Sequence, residues 1–143
     1  MPADAARARY LADAVATATP ARLIVLLYDR LWLDIQRAQA AQDSGDAAAR
    51  NHLQHAQQIV AELLGSLDVN AWSGAADLAS LYSYLLRELI GEVLEPRPGR
   101  LAAATKIVSD LRSSWQQAEA QLQGGAPSSS AVAAEGREAV RVG

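Results

Sequence analysis

TPARLIVLLYDRLW, residues 19–32, opens with a helix start and continues as more apolar surface than one helix stripe can hold. Thr19 is a side-chain acceptor suited to the N-cap, and Pro20 suits the first helical position, where no backbone N–H is needed. Leu23, Ile24, Val25, Leu26, Leu27 and Tyr28 are contiguous, and Leu31, Trp32, Leu33 and Ile35 follow the Asp29-Arg30 break. At about 100° per residue these side chains occupy most of the helix circumference. Such a helix is either central in its bundle or carries a second apolar face that something else covers, for example another chain.

Working outward, Tyr10, Leu11, Ala14 and Val15 recur at helical spacing and predict a short amphipathic helix over about 10–18. So short a helix repays its nucleation cost poorly and must dock on something. Residues Met1 to Arg9 have no apolar period and are expected to be mobile. Downstream, the first long helix should run over 20–42, to the DSGD cluster, with Ser44-Gly45 in the turn and Asp46 as the next N-cap. A second helix over 47–67 carries Leu53, Ala56, Val60, Leu63 and Leu67 in steps of three and four, widened by Ile59 and Leu64. After the turn formers Asp68, Asn70, Ser73 and Gly74, with Ser73 as N-cap, a third helix over 74–94 has another broad apolar arc. Pro96 and Pro98 stop it. The fourth, 100–122, has the seam Leu101, Ala104, Val108, Leu111, Trp115, Ala118 and Leu122.

These segments predict an all-α fold over residues 1–123, an antiparallel up-down-up-down four-helix bundle with a short N-terminal helical cap. The aperiodic, serine-containing residues 124–143 read as a disordered tail.

Composition agrees with one helical domain. The 143 residues are 50% hydrophobic and 20% charged, with no Phe, so the core must come from Leu, Ile, Val and Ala with a few Trp and Tyr. Net charge is −3, and the cations are arginines scattered along the chain with one lysine, Lys106. Nucleic acid and membrane surfaces are therefore poor partners. The N-terminal residues lack the apolar core of a secretory signal, and no run approaches about 18 apolar residues, so a cytoplasmic protein is expected. With no cysteine, disulfides and thiolate metal sites are excluded.

Residues that could carry chemistry are few. His52 and His55 lie three apart on the second helix but lack the Glu three residues before each that a di-iron bundle requires, and read as solvated or half-buried. A histidine phosphotransfer site would need cations a turn away, and Arg50 alone is near. The pairs Glu88/Glu92 and Asp29/Asp34 read as solvated helix faces. No phosphate loop or nucleophile motif is present. The expectation is no enzyme, no catalytic residue, no metal and no cofactor. Trp32, Tyr82, Tyr84 and Trp115 read as core, and Trp72 as a cap on one bundle end. The binding signal is instead the breadth of the apolar arcs on the first and third long helices, beside a short segment that needs docking. Together these suggest a groove plugged by the chain's own N-terminus.

The same residues resemble the FliS family of flagellar secretion chaperones. A Tyr followed by V-x-T-A-S/T-P-x-x-L-I-x-x-L-Y-D is met by Tyr10 and by VATATPARLIVLLYD, Val15 to Asp29. AQQIVAEL at Ala56 to Leu63, Leu67-Asp68, LYSY at Leu81 to Tyr84, and Trp115 continue the likeness. Arg30 stands where the family pattern has Gly, and Ile90-Gly91 where it has Ala-Asn. Arg30 puts a long cation where close helix approach is expected, and Gly91 weakens its helix by roughly 1 kcal/mol relative to Ala.

The resemblance implies a non-enzymatic cytoplasmic chaperone that holds the disordered C-terminal segment of flagellin, preventing premature polymerisation before export. Other flagellar assembly or regulatory proteins are further candidate partners. On this reading Tyr10, Leu11 and Val15 form the displaceable plug, and Leu23, Ile24, Leu27, Tyr28, Tyr82, Leu86 and Leu89 line the groove. Bundle core is the competing assignment for each groove residue. A general helical adaptor, or a homodimer using the same face, is the alternative function.

Overall fold

The computed structural model describes residues 2–17 and 19–124, the side chains at 2, 14–16, 123 and 124 excepted. Those residues form five α-helices and no strand: α1 (Pro2–Thr17), α2 (Pro20–Asp43), α3 (Ala49–Ser66), α4 (Ala75–Leu94) and α5 (Arg100–Gly124). Of the expected tail, 124–143, Gly124 ends α5 and residues 125–143 lie outside the described residues.

The start of α2 follows from its sequence: Thr19 Oγ1 accepts from the Arg22 N–H at 3.1 Å, with proline in the first turn. α2 packs along α3 and α5, α3 along α4, and α4 more sparsely along α5. The shared core draws Tyr28, Leu31 and Ile35 from α2, Leu53, Ala56, Val60 and Leu63 from α3, Tyr82, Leu85 and Leu89 from α4, and Leu101, Ala104 and Val108 from α5. Each fully buried leucine contributes about 1.5–3 kcal/mol relative to exposure. Polar ties cross the same pairs, Gln36 Nε2 donating to Thr105 Oγ1 at 3.0 Å and Gln57 Nε2 to the Leu89 carbonyl at 3.4 Å.

Several local expectations are corrected. Residues before Arg9 are helical rather than mobile, because α1 is rich in alanine, the strongest helix former, and needs no apolar period to form. Asp46 caps a turn, its Oδ1 accepting from the Ala48 N–H at 2.9 Å, and α3 starts only at Ala49. The N-cap of α4 is Gly74 rather than Ser73. Trp72 lies so close over Gly74 that a Cβ there would fall 2.0 Å from the indole, and the same ring closes one end of the core. The α5 seam leaves the core after Trp115, so Ala118 and Leu122 are exposed. Tyr84 is exposed as well, and Trp32 and Trp115 are half-buried.

Candidate functional site

The six apolar residues Leu23 to Tyr28 divide between two sides of α2. Val25 and Tyr28 are buried, and Ile24 and Leu27 pack against the core from its margin. Leu23, Leu26 and Leu33 are half-buried without belonging to that core, because they face the other way. There a cleft of about 720 Å³ opens between α1 and the outer side of α2, with Leu23, Leu26, Leu27 and Leu33 on one wall and Leu11 on the other. Asp4 and Arg7 of α1, Asp29, Arg30 and Arg37 of α2, and Glu62 of α3 border it. At roughly 30 Å³ per water such a space equals about two dozen waters, so α1 leaves the leucines incompletely covered.

The seven residues assigned to a groove therefore separate. Tyr28, Tyr82 and Leu89 lie in the interior and serve the core, which corrects their assignment. Ile24 and Leu86 are half-buried against that core, and Leu23 and Leu27 line the cleft. Leu26 and Leu33 belong with them and were missed. The signal was present, since both fall on the side of α2 opposite Val25, Tyr28 and Ile35. Among the plug residues Leu11 lines the cleft, whereas Tyr10 is 71% exposed and points away from cover. The Val15 side chain lies outside the described residues.

Two carboxylates expected in solvent are buried instead. Asp34 is fully buried on α2, bonded to His55 Nδ1 of α3 and 3.1 Å from Arg30 Nε, so His55 ties helices together. Glu92, 3% exposed, accepts from Gln42 Nε2 and from the Arg97 N–H, each at 2.9 Å, with Arg100 Nη1 at 3.5 Å. A buried charge needs this kind of partnering to persist. Asp29 pairs with Arg112 of α5, whose guanidinium also lies 6.0 Å from the Trp32 ring centre. Among the described residues no group of three or more His, Asp or Glu side chains is placed to hold a metal.

Inside the core the Tyr28 and Tyr82 hydroxyls bond to each other, and the Trp115 ring centre lies 6.4 Å from that of Tyr28. Burial pushes the Tyr28 hydroxyl far above the ordinary tyrosine range, the Tyr82 hydroxyl reinforcing it. Burial raises Tyr82 as well, against the bond from Tyr28. Both phenols stay neutral, and the bond between them partners two buried hydroxyls inside the core, which makes them structural. Neither hydroxyl is open to a ligand. The cleft beside α1 is instead a leucine-lined channel bordered by charges.

No helix among the described residues is long and apolar enough to cross a membrane. Residues 2–122 match a family model described as flagellar protein FliS. Over 110 residues the chain is 33% identical to the flagellar secretion chaperone FliS of Bacillus subtilis (strain 168), an alignment covering 76% of this chain and 82% of that relative.

Proposed function

The chain belongs to the FliS family, and we propose that it is a cytoplasmic, non-enzymatic export chaperone for flagellin. It holds the disordered C-terminal segment of flagellin as helix against the outer side of α2 and so prevents polymerisation before secretion. α2 to α5 act as one antiparallel up-down-up-down bundle that presents this face. The single observation that supports the reading is the row Leu23, Leu26 and Leu33, apolar yet outside the core, with Leu27 at the core's margin beside it, under a helix that covers the row incompletely. A disordered client must bury enough apolar surface to offset its ordering entropy, and a wide leucine face is the receptor such a client needs.

α1 is the displaceable plug on this reading. It packs against the other helices too sparsely to be part of the bundle, and Leu11 makes its apolar contribution to the cleft. Client binding replaces α1, and release follows from handover to the export machinery without nucleotide.

The test is calorimetric titration of a flagellin C-terminal peptide into the full chain, Leu26→Glu/Leu33→Glu and Leu31→Ala. The unaltered chain should bind, and the outer-face double variant should lose binding while keeping its melting temperature. Leu31→Ala should lose about 2–5 kcal/mol of stability as a core deletion while still binding when folded. No binding by the unaltered chain, or equal binding by Leu26→Glu/Leu33→Glu, refutes the proposal.

A further inference from the structure

The outer side of α2 carries a helical seam separate from the one in the core. Leu23, Leu26, Arg30, Leu33 and Arg37 recur at steps of three and four, and all five border the cleft. This is the spacing one helix presents to another running along it. Residues 23, 30 and 37 form one heptad row and residues 26 and 33 the other, so a helix lying on the seam crosses leucine and guanidinium layers in turn. Arg30 is tethered in its layer, Nε 3.1 Å from the fully buried Asp34, with about half its side chain open to the cleft and solvent. Arg37 is exposed and has no ion-pair partner among the described residues.

We infer that the helix accepted by this seam is acidic where it crosses Arg30 and Arg37, carrying carboxylates seven residues apart with an apolar side chain between them for Leu33 and another beyond the Arg30 layer for Leu26. The inference rests on the chaperone reading above and specifies the chemistry of its client. Apolar contact supplies the affinity in such an interface, while the charged layers set register and reject clients with cations there.

Other occupants fit the seam less well. From α1 the cleft receives Asp4, Arg7, Ala8 and Leu11, so α1 brings one carboxylate and one further guanidinium and no net charge to answer the two arginines of the seam. No ion pair among the described residues joins Asp4 or Arg7 to α2. A second copy would bring the same two arginines to an isologous contact. The remaining acids at the cleft do not answer the seam: Asp29 is engaged by Arg112 of α5, and Glu62 belongs to α3.

The test titrates the C-terminal segment of the flagellin made by the same organism into the full chain and into Arg37→Glu, at low and high salt. Arg37 is exposed and unpaired, so the variant should fold, and its melting curve checks that. Binding should weaken about tenfold in Arg37→Glu. It should recover when the client carboxylate facing residue 37 is changed to lysine, and wild-type affinity should fall as salt rises. Affinity within twofold of wild type, insensitive to salt, overturns the inference and leaves the chaperone reading standing. Equal binding of a client segment lacking acids seven apart does the same. A free chain that sediments as a dimer sensitive to Arg37→Glu assigns the seam to a second copy and also overturns it. No binding by the unaltered chain removes both readings.

Discussion

Gly91 interrupts α4 at a place where alanine would favour the helix, and Arg100 explains why glycine stands there. A Cβ on residue 91 would lie 2.9 Å from Arg100 Nη1 and 3.2 Å from Cζ. That guanidinium has little freedom to yield. Nη1 donates to the Glu95 carbonyl at 3.0 Å and lies 3.5 Å from Glu92, and Nε lies 3.3 Å from Glu88. Gly91→Ala therefore sets about 1 kcal/mol of helix propensity against displacement of Arg100 from a buried carboxylate. Breaking a buried pair costs about 3–5 kcal/mol, but Glu92 would keep Gln42 and the Arg97 N–H as donors, so about 2–3 kcal/mol is the better figure. Glu88 is more exposed and adds little. The net is a loss of about 1–2 kcal/mol, which at a urea m-value of about 1.5 kcal/mol/M lowers the unfolding midpoint by about 1 M. With Arg100→Ala already in place nothing is displaced, and the same Gly91→Ala should raise the midpoint by about 0.7 M. Urea titration by far-UV circular dichroism on the four proteins of this cycle reads the change of sign. Stabilisation by Gly91→Ala in both backgrounds would show that Arg100 moves aside at no cost and would refute the reasoning.

Removing residues 1–18 should leave α2 to α5 folded and uncover Leu23, Leu26 and Leu33, so an apolar dye should fluoresce more strongly and a flagellin C-terminal peptide should bind about tenfold tighter. Unchanged dye signal and affinity would deny α1 any covering role. Tyr28 and Tyr82 both have hydroxyls raised by burial above the ordinary value of 10.0. The stability they contribute is present in full below that value and is lost as pH climbs toward their raised folded-state values. Ultraviolet titration should show these two phenols ionising together with unfolding, and Phe at either position should reduce the alkaline sensitivity. Independent ionisation of both in the folded chain would contradict their burial.

Much of the framework is legible in the residues themselves. Thr19-Pro20 marks the start of α2, and Leu53-Ala56-Val60-Leu63 marks the buried side of α3, because capping chemistry and heptad spacing are local properties. The existence of surplus apolar surface on α2 is equally legible. Which side becomes interior is not, since Val25, Tyr28 and Ile35 differ little in polarity from Leu23, Leu26 and Leu33, and only neighbouring helices distinguish them. The same holds for the carboxylates. Asp34 and Glu92 look like surface residues until His55, 21 positions later, and Gln42, 50 positions earlier, are brought against them. The first half of α1 escaped for another reason, because alanine propensity extends the helix through Pro2–Arg9 with no periodic signature there.

Glu92 ties the turn after α4 to α2 through Gln42 and to α5 through Arg100, all at the pole where α2 and α4 finish. Toward the opposite pole Arg22 of α2 lies 3.7 Å from Glu119 of α5, and Asp29 of α2 pairs with Arg112 of α5. Glu92 is therefore the rivet of its pole, a single carboxylate that holds α2, α5 and the turn after α4 in one place.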